Sequence, residues 1–448
     1  MRLTRRGEGL AMWSNRPVFV PHTDAGERVR VSLSDVRGRL RGHVVDVLER
    51  SPHRRDPACP HAHHCPGCQV RHLTDARQTA LSMGRVRDHI HAATGTTVDW
   101  RVIAKASRDG ARSRVVARAL WDASGQLALG MAATDDGVVA LSGCAVQSTD
   151  TRDLLGAVQD DLRAAGLPPY DPRTRVGSVR HVFAEASPAG ARVVIALAHA
   201  VPDERFEGVL ADRAHVSLSV DVLPKRGAGT FSAPRPLRGR LSLTLAIDGD
   251  PLRATLPAWT PQAPETVPAL RRTLVDWLAP TRDDHIVEVG CGIGTLSLPL
   301  ARRCHHLTGI DRCRAAISDA QHNARVADVH NAQFVVGDGL HALRRLLAKG
   351  VSADLVVLHT MRRALGPAVM SAVRALDPRR IVYLAPNPSA LADDLRNLLG
   401  HDRPAGALSG TKGYVMSHAG VVDQSPGTTD LLAVVALERA MDPHPEDP

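Results

Sequence analysis

Residues 284–304 read DHIVEVGCGIGTLSLPLARRC, an apolar strand followed by a glycine-rich turn and the start of a helix. Because Gly290, Gly292 and Gly294 lack side chains, the backbone of this turn can approach a ligand and present N–H groups at a helix N-terminus. A single glycine-rich turn is weak evidence, since glycine also serves close packing. The stretch predicts a nucleotide-binding site only if the elements around it alternate between strand and helix.

The segments around this turn do alternate. Helices are predicted at 267–279 and 315–327, and strands at 307–311, 331–338, 353–359, 379–386 and 431–439. This series predicts a doubly wound α/β domain with a mostly parallel sheet. Asp311 ends one strand, where it can accept hydrogen bonds from ribose hydroxyls. Asp338 follows the next, where it can meet an adenine amino group. Two acidic strand ends after such a turn favour S-adenosylmethionine over NAD.

The first 55 residues have a different pattern. Short strands are predicted at 17–21, 27–36 and 42–49, with the alternation typical of half-buried antiparallel strands. A small basic β-barrel is the expected architecture, and such barrels often bind oligonucleotides. The whole chain has 56 basic and 47 acidic residues, and only four of the basic residues are lysine. This excess of arginine favours a polyanionic partner, although a GC-rich genome would give the same composition.

A dense group of metal-ligand residues lies at 59–68, CPHAHHCPGC, where Cys59, Cys65 and Cys68 flank three histidines. The chain shows no apolar run that could span a bilayer and no signal-peptide core, so we expect a cytoplasmic protein without membrane association. In that compartment, seven cysteines favour metal binding over disulfides. Residues 73–96 predict a helix and 100–255 a mostly β region. Cys144, just past a strand, is a candidate fourth ligand, although a lone cysteine is more often a small buried hydrophobe.

In order and spacing, these motifs resemble the RNA uridine C5-methyltransferases, in particular the iron–sulfur branch directed to 23S ribosomal RNA. Residues 19–31, FVPHTDAGERVRV, look like the TRAM domain of that family, an OB-like RNA-binding barrel. The cysteine loop, with the Gln69 and His72 that follow it, is similar to the family's cluster loop. Residues 291–301, CGIGTLSLPLA, match its cofactor turn. The resemblance implies three domains: a TRAM barrel at 1–55, a central β-rich RNA-contacting domain bearing the cysteine cluster at 56–255, and a Rossmann-like methyltransferase domain at 256–448.

The resemblance also implies two ligands. S-adenosylmethionine would be held by the glycine-rich turn, by two acidic strand ends and by one glutamine of the segment WTPQAPE at 259–265. These residues are Gly290, Gly292 and Gly294, Asp311 and Asp338, and Gln262. Four thiolates are a sufficient ligand set for a [4Fe–4S] cluster, and the implied set is Cys59, Cys65, Cys68 and Cys144. Zinc is the alternative, and His63 or His64 could then contribute.

The sequence departs from this family where the chemistry would take place. In the family a cysteine thiolate attacks uracil C6, and a glutamate then helps to remove the C5 proton. Here Pro386 occupies the nucleophile's position and Leu432 the position of the base. The family's Asp-Pro-Pro-Arg segment reads His-Thr-Met-Arg at 359–362. The catalytic residues are therefore unknown, and the weak candidates near these positions are His359, Arg362, Asn387 and Asp430.

Three hypotheses for the function follow. The first is an S-adenosylmethionine-dependent RNA methyltransferase, acting on ribosomal RNA, that has moved from uracil C5 to a ring nitrogen or exocyclic amine. Such atoms attack the methylsulfonium directly and need no enzyme thiol. The second is an inactive protein that binds RNA, and the cofactor as well, without turnover. The third is a methyltransferase redirected to a small molecule. The basic composition and the TRAM-like segment count against the third.

Overall fold

A computed structural model describes residues 2–4, 7–134, 137–224, 230, 232–360, 362–400 and 413–440. The first five strands form one sheet of order β1-β2-β3-β5-β4. Its strands are β1 (Arg2–Leu3), β2 (Gly9–Trp13), β3 (Arg16–Val20), β4 (Arg28–Val36) and β5 (Arg39–Glu49). A small core of Val18, Val20 and Leu40 supports this sheet. The three predicted strands are present, and β1 and β2 add to them at one edge.

Two elements follow the cysteine loop, helix α1 (Asp75–Thr94) and strand β6 (Trp100–Lys105). A seven-stranded sheet then forms in the order β13-β12-β11-β10-β7-β8-β9. Its elements are β7 (Arg114–Trp121), β8 (Leu127–Ala132), β9 (Val138–Ala140), α2 (Thr149–Ala164), β10 (Val179–Ser187), β11 (Gly190–Leu197), β12 (Val216–Val222) and β13 (Arg235–Arg238). Helix α2 covers one face of this sheet through Leu154, Leu155, Val158 and Leu162. Sequence patterns predicted a mostly β region here, and α2 is a helix that they did not identify.

A hairpin of β14 (Ser242–Ile247) and β15 (Asp250–Thr255) leads into the C-terminal sheet. The helices there are α3 (Val267–Leu278), α4 (Ser297–Ala301), α5 (Arg314–Val326), α6 (Gly339–Ala348), α7 (Pro367–Ala375) and α8 (Pro388–Leu399). The strands are β16 (His285–Val289), β17 (His306–Asp311), β18 (Ala332–Val336), β19 (Leu355–His359), β20 (Arg380–Ala385), β21 (Tyr414–Asp423) and β22 (Leu432–Arg439).

The C-terminal sheet has the order β18-β17-β16-β19-β20-β22-β21-β6. Strands β16 to β20 are parallel, whereas β22 runs antiparallel to both β20 and β21. Successive residues of one strand enter different cores: Ile286 packs with one hydrophobic cluster and Val287 with the other. Both faces are therefore covered by helices, as expected of a doubly wound sheet. The strand order reverses between the neighbouring strands β16 and β19, and ligands bind such sheets at the carboxyl ends of the strands at this switch point.

Several elements from the middle of the chain pack onto this C-terminal sheet. Strand β6 extends it by pairing in parallel with β21, and α1 packs against α8. The hairpin contributes Leu243, Leu245 and Leu252 to the same core as α3 and α5. The boundaries at 55 and 255 stay a prediction, but the sheet, helix and hairpin contacts show that the regions they separate are closely packed. None of the helices in the described part of the chain is long and apolar enough to cross a membrane.

Candidate active site and cysteine site

The glycine-rich turn lies at the carboxyl end of β16, packed against the end of β19. Gly290 has φ +85°, and a methyl group there would overlap the backbone carbonyl oxygen of His359. The N–H groups of Gly290 and Cys291 donate to the carbonyl of Ile310, at 2.8 and 3.1 Å. This turn therefore needs glycine at position 290, and residues 290–294 are called the cofactor cradle here. A glycine-rich turn between a strand and a helix at the carboxyl end of a parallel sheet is where such domains bind nucleotides.

Asp311 braces this cradle from the end of β17. One carboxylate oxygen accepts the Gly292 N–H at 2.9 Å and the other accepts the Cys313 N–H at 2.8 Å. Each oxygen keeps a second lone pair, so both can still accept from ribose hydroxyls. Asp338 is used differently, since it caps α6 by accepting from Leu340 N–H at 3.0 Å and pairs with Arg312. The Arg312 hydrogen bond lowers the pKa of Asp338 and keeps it ionised.

Glu288 is a functional candidate that sequence reasoning missed. It lies fully buried on β16, two residues before Gly290, and accepts a 2.6 Å hydrogen bond from Ser297 Oγ. Its other carboxylate oxygen, Oε1, is buried without a protein partner. Burial raises the pKa of Glu288 to about 7. A buried acid with a free oxygen beneath the turn fits a site that is completed by a bound polar ligand.

The positions of the family's nucleophile and base do meet in space. Strands β20 and β22 pair Ala385 with Ala433, and one further residue of this antiparallel register sets Pro386 beside Leu432. Pro386 is exposed, whereas Leu432 is 8% exposed and belongs to the main core. The reaction edge, defined here as residues 359–362, 386–389 and 429–432, therefore has neither a thiol nor a carboxylate at these two positions.

The weak catalytic candidates lie around this edge. Burial lowers the pKa of His359 to about 4, so its imidazole is neutral at physiological pH. Asn387 caps α8 through Ser389 N–H and donates to the carbonyl of Arg362 at 2.8 Å. The side chains of Arg362 and Asp430 are exposed. Met361, which belongs to the segment 359–362 that differs from the family, lies outside the described residues.

An aromatic side chain that was not singled out in the sequence completes this edge. Trp259 meets the His359 ring edge to face, with ring centroids 6.1 Å apart, and Arg114 lies over the indole at 5.4 Å. Gln262 is half-buried in the same loop, and its backbone carbonyl accepts from Ser113 N–H at 3.2 Å. Only five tryptophans occur in this chain. That scarcity was the signal that could have drawn attention to Trp259.

A cleft of about 330 Å³ opens beside the reaction edge, between the turn after β1, helix α1 and Thr429. Arg85 and His89 line it together with apolar groups such as Leu81. Arg85 donates to Thr429 Oγ1 at 3.0 Å, and His89 Nε2 lies 2.8 Å from Ser389 Oγ. The cleft therefore connects the N-terminal sheet with two of the three segments of the reaction edge, 386–389 and 429–432.

The four cysteines of the proposed metal set are half-buried and free. Burial raises the pKa of Cys65, and the thiols of Cys144 and Cys59 raise it further, so two separate segments share one neighbourhood. Burial likewise raises the pKa of Cys68 to about 11, with Cys144 again contributing. The loop is docked onto β8 and β9 by the hydrogen bond from Thr134 N–H to His64 O, at 2.9 Å.

Within the described residues, no group of three or more His, Cys, Asp or Glu side chains has the arrangement needed to hold a metal ion. The donor chemistry still fits a thiolate-bound metal, since four half-buried thiols on two segments are soft ligands. His63, the alternative zinc ligand, packs edge to face against His22 with ring centroids 5.9 Å apart. The cluster and zinc alternatives both remain predictions.

Comparison with known proteins agrees with this architecture. A family model described as a methyltransferase domain matches residues 286–379. An uncharacterised RNA methyltransferase of Halalkalibacterium halodurans is 27% identical over 97% of this chain and 95% of its own length. The 23S rRNA (uracil(1939)-C(5))-methyltransferase RlmD of Pseudomonas putida is 27% identical over 98% of this chain and 92% of its own.

The fold has a full-length match among solved structures. The tRNA (uracil-54, C5)-methyltransferase of Pyrococcus abyssi, solved with S-adenosyl-L-homocysteine, superposes with a TM-score of 0.76 at 18% identity, covering 97% of this chain and 98% of that one. The C-terminal region is thus a Rossmann-like methyltransferase domain, joined to β-rich N-terminal and central regions. This chain is therefore similar along almost its entire length to RNA methyltransferases, and it shares the fold of a uracil C5-methyltransferase.

Proposed function

We propose that the protein binds S-adenosylmethionine at the turn of Gly290 and transfers its methyl group to an RNA atom that needs no enzyme thiol. One contrast supports the proposal: the cofactor cradle is kept, whereas the reaction edge carries Pro386 and Leu432. The bound cofactor supplies an electrophilic methyl group. A ring nitrogen or exocyclic amine of a nucleobase can attack it directly, whereas uracil C5 must first be activated by a nucleophile.

In this proposal the protein contributes binding and orientation. Asp311 offers carboxylate lone pairs to the ribose, and Gln262 and Asp338 lie on segments that flank the cradle. Because the pKa of His359 is lowered to about 4, its neutral ring is a hydrogen-bonding partner for a base rather than a strong proton acceptor. Trp259 beside it offers an aromatic edge or face to a base taken out of its stack.

RNA, and ribosomal RNA in particular, is the proposed partner. RNA methyltransferases are the relatives, and RlmD of Pseudomonas putida acts on 23S rRNA by its name. The N-terminal sheet, proposed as the TRAM domain, exposes Trp13 and Val45 by about 60% alongside the arginines of β4 and β5. Exposed aromatic and cationic side chains are what single-stranded nucleic acid requires. The cleft lined by Arg85 and His89 leads from this sheet toward the reaction edge.

The decisive experiment compares ribosomal and transfer RNA from a deletion strain and its parent by nucleoside mass spectrometry. We expect one N-methylated nucleotide to disappear, and a plasmid copy of the wild-type gene, but not of Gly290→Ala, to restore it. Loss of 5-methyluridine would refute the change of target atom. Unchanged RNA would instead favour the inactive RNA-binding alternative, which the missing thiol and carboxylate also support.

Calorimetry with S-adenosylmethionine tests the cofactor part separately. Binding by the purified wild-type protein is expected, and its absence would overturn both the RNA and the small-molecule methyltransferase hypotheses. For the metal, anaerobic purification followed by iron, sulfide and zinc analysis separates the two alternatives. Stoichiometric zinc without sulfide would replace the [4Fe–4S] proposal.

A further inference from the structure

The loop between β21 and β22, residues 424–431, contacts the cysteine loop directly. Gly427 lies against Cys68: its φ is +82°, and a methyl group at Gly427 would stand 3.2 Å from the Cys68 sulfur. The N–H of Val70, two residues past Cys68, donates to the Gly427 carbonyl at 2.9 Å. A residue of the proposed metal set is therefore in contact with the backbone of this loop.

A buried glutamine holds the same glycine from the other side. Gln78 on α1 is 4% exposed, and its Oε1 accepts the Gly427 N–H at 3.0 Å. Its Nε2 donates to the carbonyl of Leu73 at 2.8 Å, which fixes the amide at the end of the cysteine loop. Both polar groups of the Gly427 peptide are thus bound by the segment that follows the cysteines.

The same loop leads straight into the reaction edge. Four residues lie between Gly427 and Leu432, and within them Thr428 Oγ1 accepts the Asp430 N–H at 3.1 Å. Thr429 is held by Arg85 of α1 and lines the cleft. A displacement of Gly427 would therefore move Thr429 and Asp430 with it. The cofactor cradle is held by its own contacts with β17 and β19, through Ile310, Asp311 and His359.

We propose that the cysteine site is a positioning anchor for residues 424–431, so that metal occupancy sets the conformation of one side of the reaction edge. Val70, Gln78 and Gly427 transmit the contact. The inference rests on the proposed metal site, and it assigns that site a task in shaping the substrate side while leaving the cofactor side unchanged. By linkage, a loop that favours the occupied site must in turn raise the affinity of that site for its metal.

Hydrogen exchange followed by mass spectrometry tests this without RNA or turnover. The protein is purified anaerobically, its iron, sulfide and zinc are measured, and half is stripped with a chelator and an oxidant. Peptides covering 424–431 are expected to exchange about 10-fold faster after stripping, the scale of losing a buried hydrogen bond. Peptides covering 285–294 should change less than about twofold, as the cradle is held independently.

Two matched pairs of variants sharpen the test. Gln78→Leu should accelerate exchange at 424–431 with the metal still bound, whereas Gln159→Leu, which removes a similar side-chain bond to Leu129 N–H on the central sheet, should not. Gly427→Ala should lose metal about 10-fold faster to a chelator. Gly26→Ala has nearly the same φ, +83°, but open space around it, so its rate should stay that of the wild type.

Each outcome decides the proposal. Faster exchange confined to 424–431, with faster metal loss in Gly427→Ala, supports it. Equal exchange before and after stripping, or protein purified with neither iron nor zinc, overturns it. The protein could pass this test while its deletion changes no methylated nucleotide in cellular RNA. The anchor would then stand and the proposed activity would fail, so the two failures are distinguishable.

Discussion

The ion pair of Glu185 and Arg192 offers the sharpest test of how the central sheet supports the loop that contains Trp259, Thr260 and Gln262. The two residues face each other on β10 and β11 and are 0% and 1% exposed. Arg192 donates twice to Glu185 Oε2, at 2.8 and 2.6 Å, and also to the carbonyls of Leu241 and Ala254. Glu185 Oε1 accepts from Thr260, next to Trp259, at 2.6 Å.

Replacing Arg192 by methionine keeps the apolar volume but leaves the Glu185 carboxylate buried without its cation. Breaking a buried pair from one side costs about 3–5 kcal/mol, because the remaining charge stays desolvated. For a cooperative unit of this size, that corresponds to a fall in melting temperature of roughly 6–20 °C. Arg192→Lys should fall in between, since it keeps the charge but cannot make all four hydrogen bonds.

Urea denaturation and thermal melting of the three proteins measure the loss, and calorimetry measures S-adenosylmethionine affinity. Arg235→Met is the matched control, because Arg235 pairs with Asp203 on the same sheet while both are more than half exposed. We expect no measurable change in the control and weaker cofactor binding in Arg192→Met, since Glu185, the partner of Thr260, is no longer held by Arg192. If Arg192→Met were as stable as the control, the buried pair would not hold this loop, and the reasoning would be refuted.

Three further predictions concern the cofactor cradle and the reaction edge beside it. Gly290→Ala should abolish S-adenosylmethionine binding in calorimetry, because its methyl group overlaps a backbone carbonyl. Gly292→Ala has open space around it, so it should cost only the backbone strain of its positive φ, about 1–2 kcal/mol. In ¹H–¹⁵N NMR the His359 ring should titrate near pH 4 and stay unchanged from pH 6 to 8; a midpoint near 6.5 would contradict its burial. Because burial raises the pKa of Glu288 from 4.5 to about 7, its neutral form stabilises the fold below pH 4.5, and this contribution is lost as the pH rises through 7. Glu288→Gln should therefore be about 3 kcal/mol more stable than the wild type at pH 8 and equal at pH 4.5 in urea denaturation, and a pH-independent difference would count against it.

The α/β region was predictable because its signals are local. Every predicted strand from β16 to β20 is present, since both faces of a parallel sheet are buried and each strand reads as an apolar run. Helix α2 was missed although its buried residues, Leu154, Leu155, Val158 and Leu162, follow the helical spacing and Ser148 caps it. The short strand patterns on either side had set the expectation for the whole region.

Long-range pairings lay beyond sequence reasoning. Nothing local to β6 says that it will pair with β21, more than 300 residues later, and nothing at Trp259 names His359 as its neighbour. The motif comparison predicts that positions 386 and 432 correspond to the family's nucleophile and base, and extending the β20–β22 register by one residue sets them side by side. What the motif could not supply is the burial of Glu288, which depends on α4 closing over β16.

The two halves of the candidate site are supported by different parts of the chain, and this bears on how the activity could have changed. The cradle depends on contacts within the parallel sheet, such as Gly290 against β19, so it can persist whatever happens on the substrate side. The reaction edge depends on the loop at Gly427, which the cysteine loop and α1 hold in place. The buried Gln78 bond and the close contact of Gly427 with Cys68 hold that side of the edge in one shape. A change at the cysteine loop is therefore expected to reach the substrate side before it reaches the cradle, which is the order that the hydrogen-exchange experiment measures.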